Sequence, residues 1–321
     1  MSENLADSSG NNAPRAASSQ ILVNQLAKEF LAEQRASRRW GIVFKSLTAF
    51  WLFLFLLVYA SRHEELSALH AGRHTALVDI SGVIAADSQA SADNIIGSLR
   101  AAYRNRNIAG IILRIDSPGG SPVQAGYVYD EIRRLRKLHP DIPLHSVIVD
   151  TCASGGYYIA AAADKIFADK ASLVGSIGVI MSGFGFVGAM EKTGVERRLL
   201  HAGENKGFMD SFSPLSEEDK QHADVLLDGI YRQFINVVKE GRGDRLKNDD
   251  SIFSGLVWTG EQSLELGLID AFGSADYVAR EVIGAEEIVN YTYRENYLDR
   301  LARGIGTRMA EKLTVPDLAL Y

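Results

Sequence analysis

The string CASGGYYIA, residues 152–160, sets a serine between an apolar β-type run and a helix-forming stretch. At such a junction the hydroxyl of Ser154 lies at a helix N-terminus, where free backbone N–H groups point outward. Gly155 and Gly156 leave room for a carbonyl to approach, and the Gly155 N–H can help to hold an oxyanion. Plain helix capping would use the same residues, and the string alone reads equally well as either. A second string, IDSPGGSPV at 115–123, leaves a strand and meets Pro118, Gly119 and Gly120. Paired glycines there form an anion-binding nest of N–H groups, or simply turn the chain. Where two such strand ends converge in one sheet, one can supply a nucleophile and the other a second oxyanion donor.

A serine needs a base before it attacks, and the usual base is histidine. The chain has seven: His63, His70, His74, His139, His145, His201 and His222. The first three fall in a linker, and none lies between His145 and His201. None therefore follows Ser154 at the short spacing of the Clp-type triad, and His201 and His222 remain candidates on position alone. Cys152, two residues before Ser154, offers a thiol, but a small buried hydrophobe is the ordinary role of cysteine in a β-run. One cysteine in the whole sequence excludes an internal disulfide and cysteine-rich zinc sites. No cofactor or metal is expected.

The elements that must position these strings alternate. Residues 76–84, 109–118 and 144–153 read as β-branched strands, and 91–105, 123–138 and 154–164 as helices. The alternation predicts an α/β fold with a largely parallel sheet. In such sheets ligands bind beyond the carboxyl ends of the strands, where both glycine-rich strings fall. Past residue 200 the chain is more helical. Ser216 before Glu217, Glu218 and Asp219 reads as an N-cap with an acidic first turn, opening a helix that runs to about Lys239 and stops at Gly241.

Residues 40–60, WGIVFKSLTAFWLFLFLLVYA, are almost wholly apolar. A helix of that length rises roughly 30 Å, the hydrocarbon thickness of a bilayer. Lys45 can snorkel to the interface, and Trp40 and Tyr59 stand where aromatic belts form. The segment is too long and too far from the start for a signal peptide, so an uncleaved transmembrane anchor is expected. Lys28, Arg35, Arg38, Arg39 and Lys45 outweigh Arg62 and Arg73 beyond it, which puts the N-terminus in the cytoplasm and the large domain outside. The resulting organisation is a partly disordered cytoplasmic tail at 1–39, the anchor at 40–60, a linker at 61–75, and an outer domain at 76–321 ending in a helical region. With 321 residues, 46% hydrophobic content and a net charge of −6, the chain can bury a sizeable core. It has no basic tract suited to nucleic acid.

The strings SPGG (117–120), ASGGYYIA (153–160), VGSIGV (174–179), AGENKGFMDSFSP (202–214) and TGEQSLELGLIDAFG (259–273) occur in that order. Together, over about residues 76–285, they resemble the signal peptide peptidase A family of serine peptidases in its short, single-repeat, membrane-anchored form. The resemblance implies a fold similar to Clp protease and the crotonases. It matches Ser154 to the nucleophile and Lys206, ahead of the Ser213–Pro214 pair, to the base of a Ser–Lys dyad. Ser176 matches a serine that orients the lysine, and Gly120 matches an oxyanion donor, with Gly155 beside the nucleophile. Many relatives read Ser-Gly-x-x-Lys-Asp where this chain has Ala202-Gly203-Glu204-Asn205-Lys206-Gly207, so the segment around the lysine departs from the pattern.

The resemblance further implies a homo-oligomer whose neighbouring subunits supply serine and lysine, peptide substrates such as cleaved signal peptides, and a bacterial inner-membrane location with the peptidase domain in the periplasm. A lysine base must titrate near 7–8 rather than at its reference value of about 10.4, a shift of about 3 units or roughly 4 kcal/mol. Desolvation by Phe208, Phe212 and the substrate is expected to supply it. A crotonase-type acyl-CoA enzyme and a non-catalytic membrane scaffold of the same fold are the alternatives.

Overall fold

A computed structural model of the chain describes residues 40–56 and 72–293. The chain divides into two units, Met1–Ala71 and Gly72–Tyr321. In the first, residues 40–56 form helix α1, whose apolar side chains, Trp40, Phe44 and Trp51 among them, are all exposed. The expected span of 40–60 is therefore helical as far as it is described. Residues 57–60, the tail, most of the linker and residues 294–321 lie outside the described residues. Among the described residues no helix is long and apolar enough to cross a membrane.

The second unit is built on an eight-stranded sheet. Its centre is β1 (His74–Ser81), β2 (Ile108–Ser117) and β3 (Leu144–Ala153). The shorter strands are β4 (Lys165–Ala168), β5 (Leu173–Gly175), β6 (Val257–Thr259), β7 (Ala271–Phe272) and β8 (Ile288–Asn290). The order is β6-β5-β3-β2-β1-β8, with β4 pairing β3 and β7 pairing β4. All pairings are parallel except that of β5 with β6. The expected α/β class and mostly parallel sheet are thus observed. β2 shows why: a strand buried on both faces needs a near-continuous apolar run, and Ile111, Ile112, Leu113 and Ile115 are fully buried.

Helices α2 (Ala92–Arg104) and α3 (Pro122–Leu138) begin at serine caps. Ser91 accepts from the N–H of Asn94, and Ser121 accepts from that of Gln124 ahead of a first-turn proline. With the short α4 (Gly155–Ala160) they bury Ile95, Leu99, Val128, Ile132 and Tyr157 in one cluster with Ile80, Leu113 and Ile115. A smaller cluster joins Leu77, Ile112, Val147 and Phe167 to Val278 and Ala279. These last two lie in a π-helical turn, Val278–Ile283, that continues α8 (Ala275–Tyr277).

Between β5 and β6 come α5 (Val187–Thr193) and α6 (Glu217–Arg242). α6 starts with the expected cap, here a full capping box between Ser216 and Asp219. It runs past Gly241 to Arg242 and ends at Gly243. Gly241 serves another purpose: a Cβ there would stand 2.1 Å from the carbonyl oxygen of Ala161, so the glycine lets the helix press against the chain leaving α4. Only Phe234, Val238 and Arg242 of α6 are buried, and α5 buries nothing. The short α7 (Gly260–Glu265) follows β6 and has its own capping box between Thr259 and Gln262.

Candidate active site

β3 ends at Ala153, and the next residue, Ser154, takes φ 51° and ψ −121° before α4 begins. A non-glycine residue held there costs of order 1–3 kcal/mol. The hydroxyl makes no capping hydrogen bond to α4, which removes the capping reading of this serine. The backbone pins the residue instead: its N–H donates to Gly175 O (2.8 Å) and its carbonyl accepts from Tyr158 N–H (3.0 Å).

Ser176 occupies the equivalent place on the next strand. Ala153 and Gly175 are register partners in the parallel pair β3–β5, so Ser154 and Ser176 leave the sheet side by side. Ser176 also has positive φ, 50°. Its N–H donates to Leu256 O (2.7 Å), and the neighbouring Gly175 lies against Trp258, whose Cδ1 would be 3.1 Å from a Cβ on that glycine. Two strained serines at adjacent strand ends are what a reactive site shows.

The second glycine string closes on the first from β2. A Cβ on Gly119 would meet the Cβ of Ser154 at 2.7 Å and the Gly155 nitrogen at 2.8 Å. Gly119 and Gly120 have φ of 100° and 149°, a region that disfavours side chains. Gly119 O accepts from Ile84 N–H (2.9 Å), and Ser121 N–H donates to Ile84 O (2.8 Å). The Gly120 nitrogen lies beside Gly155, 3.3 Å from where a Cβ on Gly155 would be. Among the described residues neither the Gly120 N–H nor the Gly155 N–H has a protein acceptor. Two free donors next to a strained serine can stabilise the anion formed when its hydroxyl adds to a carbonyl. A cavity of about 370 Å³ begins two residues past Ser176, lined by Gly178, Val179, Leu227, Tyr231 and Phe253.

Lys206 is not brought to this centre within one chain. It is exposed, in a run of turns where its N–H donates to Gly203 O (3.1 Å), and no hydrogen bond or ion pair joins it to Ser154 or Ser176 among the described residues. Its expected apolar neighbours are engaged elsewhere. Phe208 stands edge-on to His222, and Phe212 stacks on Phe186 under the Arg197 guanidinium. The other candidate bases have other partners: the His201 ring bonds Gly203 O (2.9 Å), and His222 is the partner of Phe208. Cys152 is fully buried, and burial, followed by the charge of Asp116, pushes its thiol far up. It is a packing residue, as its β-run suggested.

Sequence reasoning missed the supports. Ser117, Ile84, Leu256 and Trp258 hold the two serines and the glycine loop, yet Leu256 and Trp258 are some 80 residues from Ser176 along the chain. Only Ser117 lay inside a string already singled out.

The family model for Peptidase family S49 matches residues 136–288. The chain is 42% identical over 188 residues to a Brucella abortus protein named "Na(+)/H(+) antiporter NhaA", a match covering 59% of this chain and 25% of that protein. It is 30% identical over 221 residues to the "Putative signal peptide peptidase SppA" of Enterococcus faecium, 68% of this chain and 64% of that one. It is also 30% identical over 201 residues to the "Putative protease slr0021" of Synechocystis sp., 63% and 70% of the two chains. The chain thus spans about a quarter of the Brucella protein and just under two thirds of the Enterococcus one. The antiporter name describes a protein of which three quarters has no counterpart here. The family model covers Ser154 and strands β3 to β7, and a protease 30% identical to the chain is covered over 70% of its own length; the chain belongs to peptidase family S49.

Proposed function

We propose that the chain is a membrane-anchored serine endopeptidase on a Clp- and crotonase-like fold, acting on membrane-associated peptides such as cleaved signal peptides. The observation that carries the reading is Ser154, strained and uncapped, beside the free N–H groups of Gly120 and Gly155. In the reaction the Ser154 Oγ adds to the scissile carbonyl while its proton passes to Lys206 Nζ. The Gly120 and Gly155 N–H groups hold the oxyanion. The tetrahedral species collapses to an ester on Ser154, and the leaving amine departs with the lysine's proton. Water, deprotonated by the same lysine, then releases the acid and restores Ser154. Ser176 orients the lysine.

The lysine reaches the serine from a neighbouring subunit of a homo-oligomer. Ile180, Phe184 and Leu200, on the stretch that carries Lys206, are 89%, 81% and 95% exposed, apolar side chains that a neighbouring subunit would cover. The anchor is residues 40–60, begun by the apolar α1, with the N-terminus cytoplasmic and the peptidase domain on the periplasmic side of a bacterial inner membrane. Family membership favours this reading over an acyl-CoA enzyme or a scaffold.

The test is cleavage of an apolar fluorogenic peptide by detergent-solubilised protein. Ser154→Ala and Lys206→Ala should each abolish turnover with oligomer size unchanged. Turnover surviving Ser154→Ala would end the serine-peptidase reading. Extraction of the protein from membranes by alkaline carbonate would end the anchor.

A further inference from the structure

Ser117 is fully buried at the end of β2 and has no part in the reaction just described. Its hydroxyl is nevertheless committed twice. It donates to Gly82 O (2.7 Å) and accepts from Gly119 N–H (3.1 Å). Gly82 follows β1 with φ 81° and donates its own N–H to Asp116 O (2.9 Å). The hydroxyl therefore ties the glycine loop to the neighbouring strand at the level where that loop turns. On its other side Ser117 meets α4: a Cβ on Gly156 would lie 3.2 Å from Ser117 O and 3.4 Å from its Cβ. Ser117 is also the register partner of Cys152, across an irregularity that separates it from the regular pairing of β2 and β3. One small residue thus adjoins the three pieces that build the site: through its hydroxyl the turn after β1 and the glycine loop, and through its place in the sheet the strand and helix that flank Ser154.

The bond to Gly119 has a further effect. A loop with consecutive glycines at positive φ can present either N–H inward, and such backbone is soft. With the Gly119 N–H held by Ser117, the next one, on Gly120, is left to face the substrate oxygen. We infer that Ser117 is a positioning residue for the oxyanion hole: its hydroxyl occupies the Gly119 N–H and so aims that of Gly120. The inference rests on the peptidase reading for its consequence in catalysis, but not for its geometry.

The experiment compares wild type with Ser117→Ala, which removes both bonds, and Ser117→Cys, which keeps the volume with a weaker donor and acceptor. Ser154→Ala is the background control, and the full chain in detergent is used throughout. Steady-state cleavage of the fluorogenic peptide, inhibition by a peptide aldehyde whose adduct places an oxygen in the oxyanion hole, and amide hydrogen exchange over residues 117–121 are measured. Ser117→Ala should lower kcat about 10- to 50-fold, less than the 10²- to 10³-fold seen when an oxyanion donor itself is removed. KM should stay within about twofold, aldehyde inhibition should weaken in step with kcat, exchange at Gly119 should quicken, and Ser117→Cys should fall between. A role in stability alone would lower the melting temperature with kcat and aldehyde affinity unchanged, and that result overturns the inference. Absent cleavage by wild type would sink the peptidase reading instead, and wild-type exchange rates at 117–121 in Ser117→Ala would still overturn the placement of Ser117.

Discussion

At Gly119 a side chain has nowhere to go: backbone and the Ser154 Cβ lie within 2.8 Å of the place it would fill, and φ is 100°. Gly119→Ala should therefore displace the neighbouring Gly120 N–H and cost about 10²- to 10³-fold in kcat/KM, as loss of an oxyanion donor does, in a protein whose circular dichroism still shows the sheet and helices. A variant with wild-type turnover would mean that the loop does not adjoin the proposed nucleophile, Ser154. Cys152 gives the opposite expectation. Its buried thiol, pushed up by desolvation, is a poor target for alkylation, so iodoacetamide should leave turnover unchanged; inhibition that Cys152→Ala prevents would reopen the thiol reading. Ser154 and both glycine strings were legible because strand-end glycines around a serine carry a local pattern. The absence of a capping role for Ser154 was not, since it turns on one backbone angle and a missing hydrogen bond. The role of Ser117 was hidden because Gly82, which it binds, is 35 residues away.

Among the elements, α6 is fixed at its far end by Arg242, 1% exposed at the side chain, which donates to Asp270 Oδ2 (2.8 Å) and Gly267 O (2.8 Å). Asp270 also accepts from Ile166 N–H and Arg245. Burial alone would raise its pKa, but Arg242, with help from Ile166 and Arg245, brings it below the ordinary value. Removing one partner of such a pair costs about 3–5 kcal/mol, so Arg242→Ala should lose that much in a urea titration, and a loss below about 1 kcal/mol would show the clamp to be dispensable. Glu131 on α3, paired first with Arg134 and then with Arg100, is held down to about 2. A depressed carboxylate contributes stability that is complete above its unfolded pKa of about 4.3 and is lost as pH falls toward the folded value. Glu131→Gln should flatten the decline in stability between pH 4.3 and 2, and an unchanged pH profile would argue that solvent screens the pair. The long strands and the Ser216 cap of α6 were readable from β-branched runs and cap residues, whereas the caps at Ser91 and Ser121 came only with the structure. β5, β6 and β7, two or three residues each, carry no periodicity to read, and Gly241 misled because a glycine needed for close approach looks like one that ends a helix.

For the whole molecule, the decisive experiment is to co-express Ser154→Ala and Lys206→Ala subunits. If the dyad is shared between neighbours, each inactive partner supplies what the other lacks and mixed assemblies recover part of the activity; if each chain completes its own dyad, the mixture stays inactive. Lys206, exposed and unbonded to the serine of its own chain, also bears on the life of a newly made subunit. If the proposed dyad is shared between neighbours, the subunit is latent at birth. It would then be harmless while copies are few and dilute, and would switch on when local crowding passes a threshold, so that activity should climb more steeply than copy number.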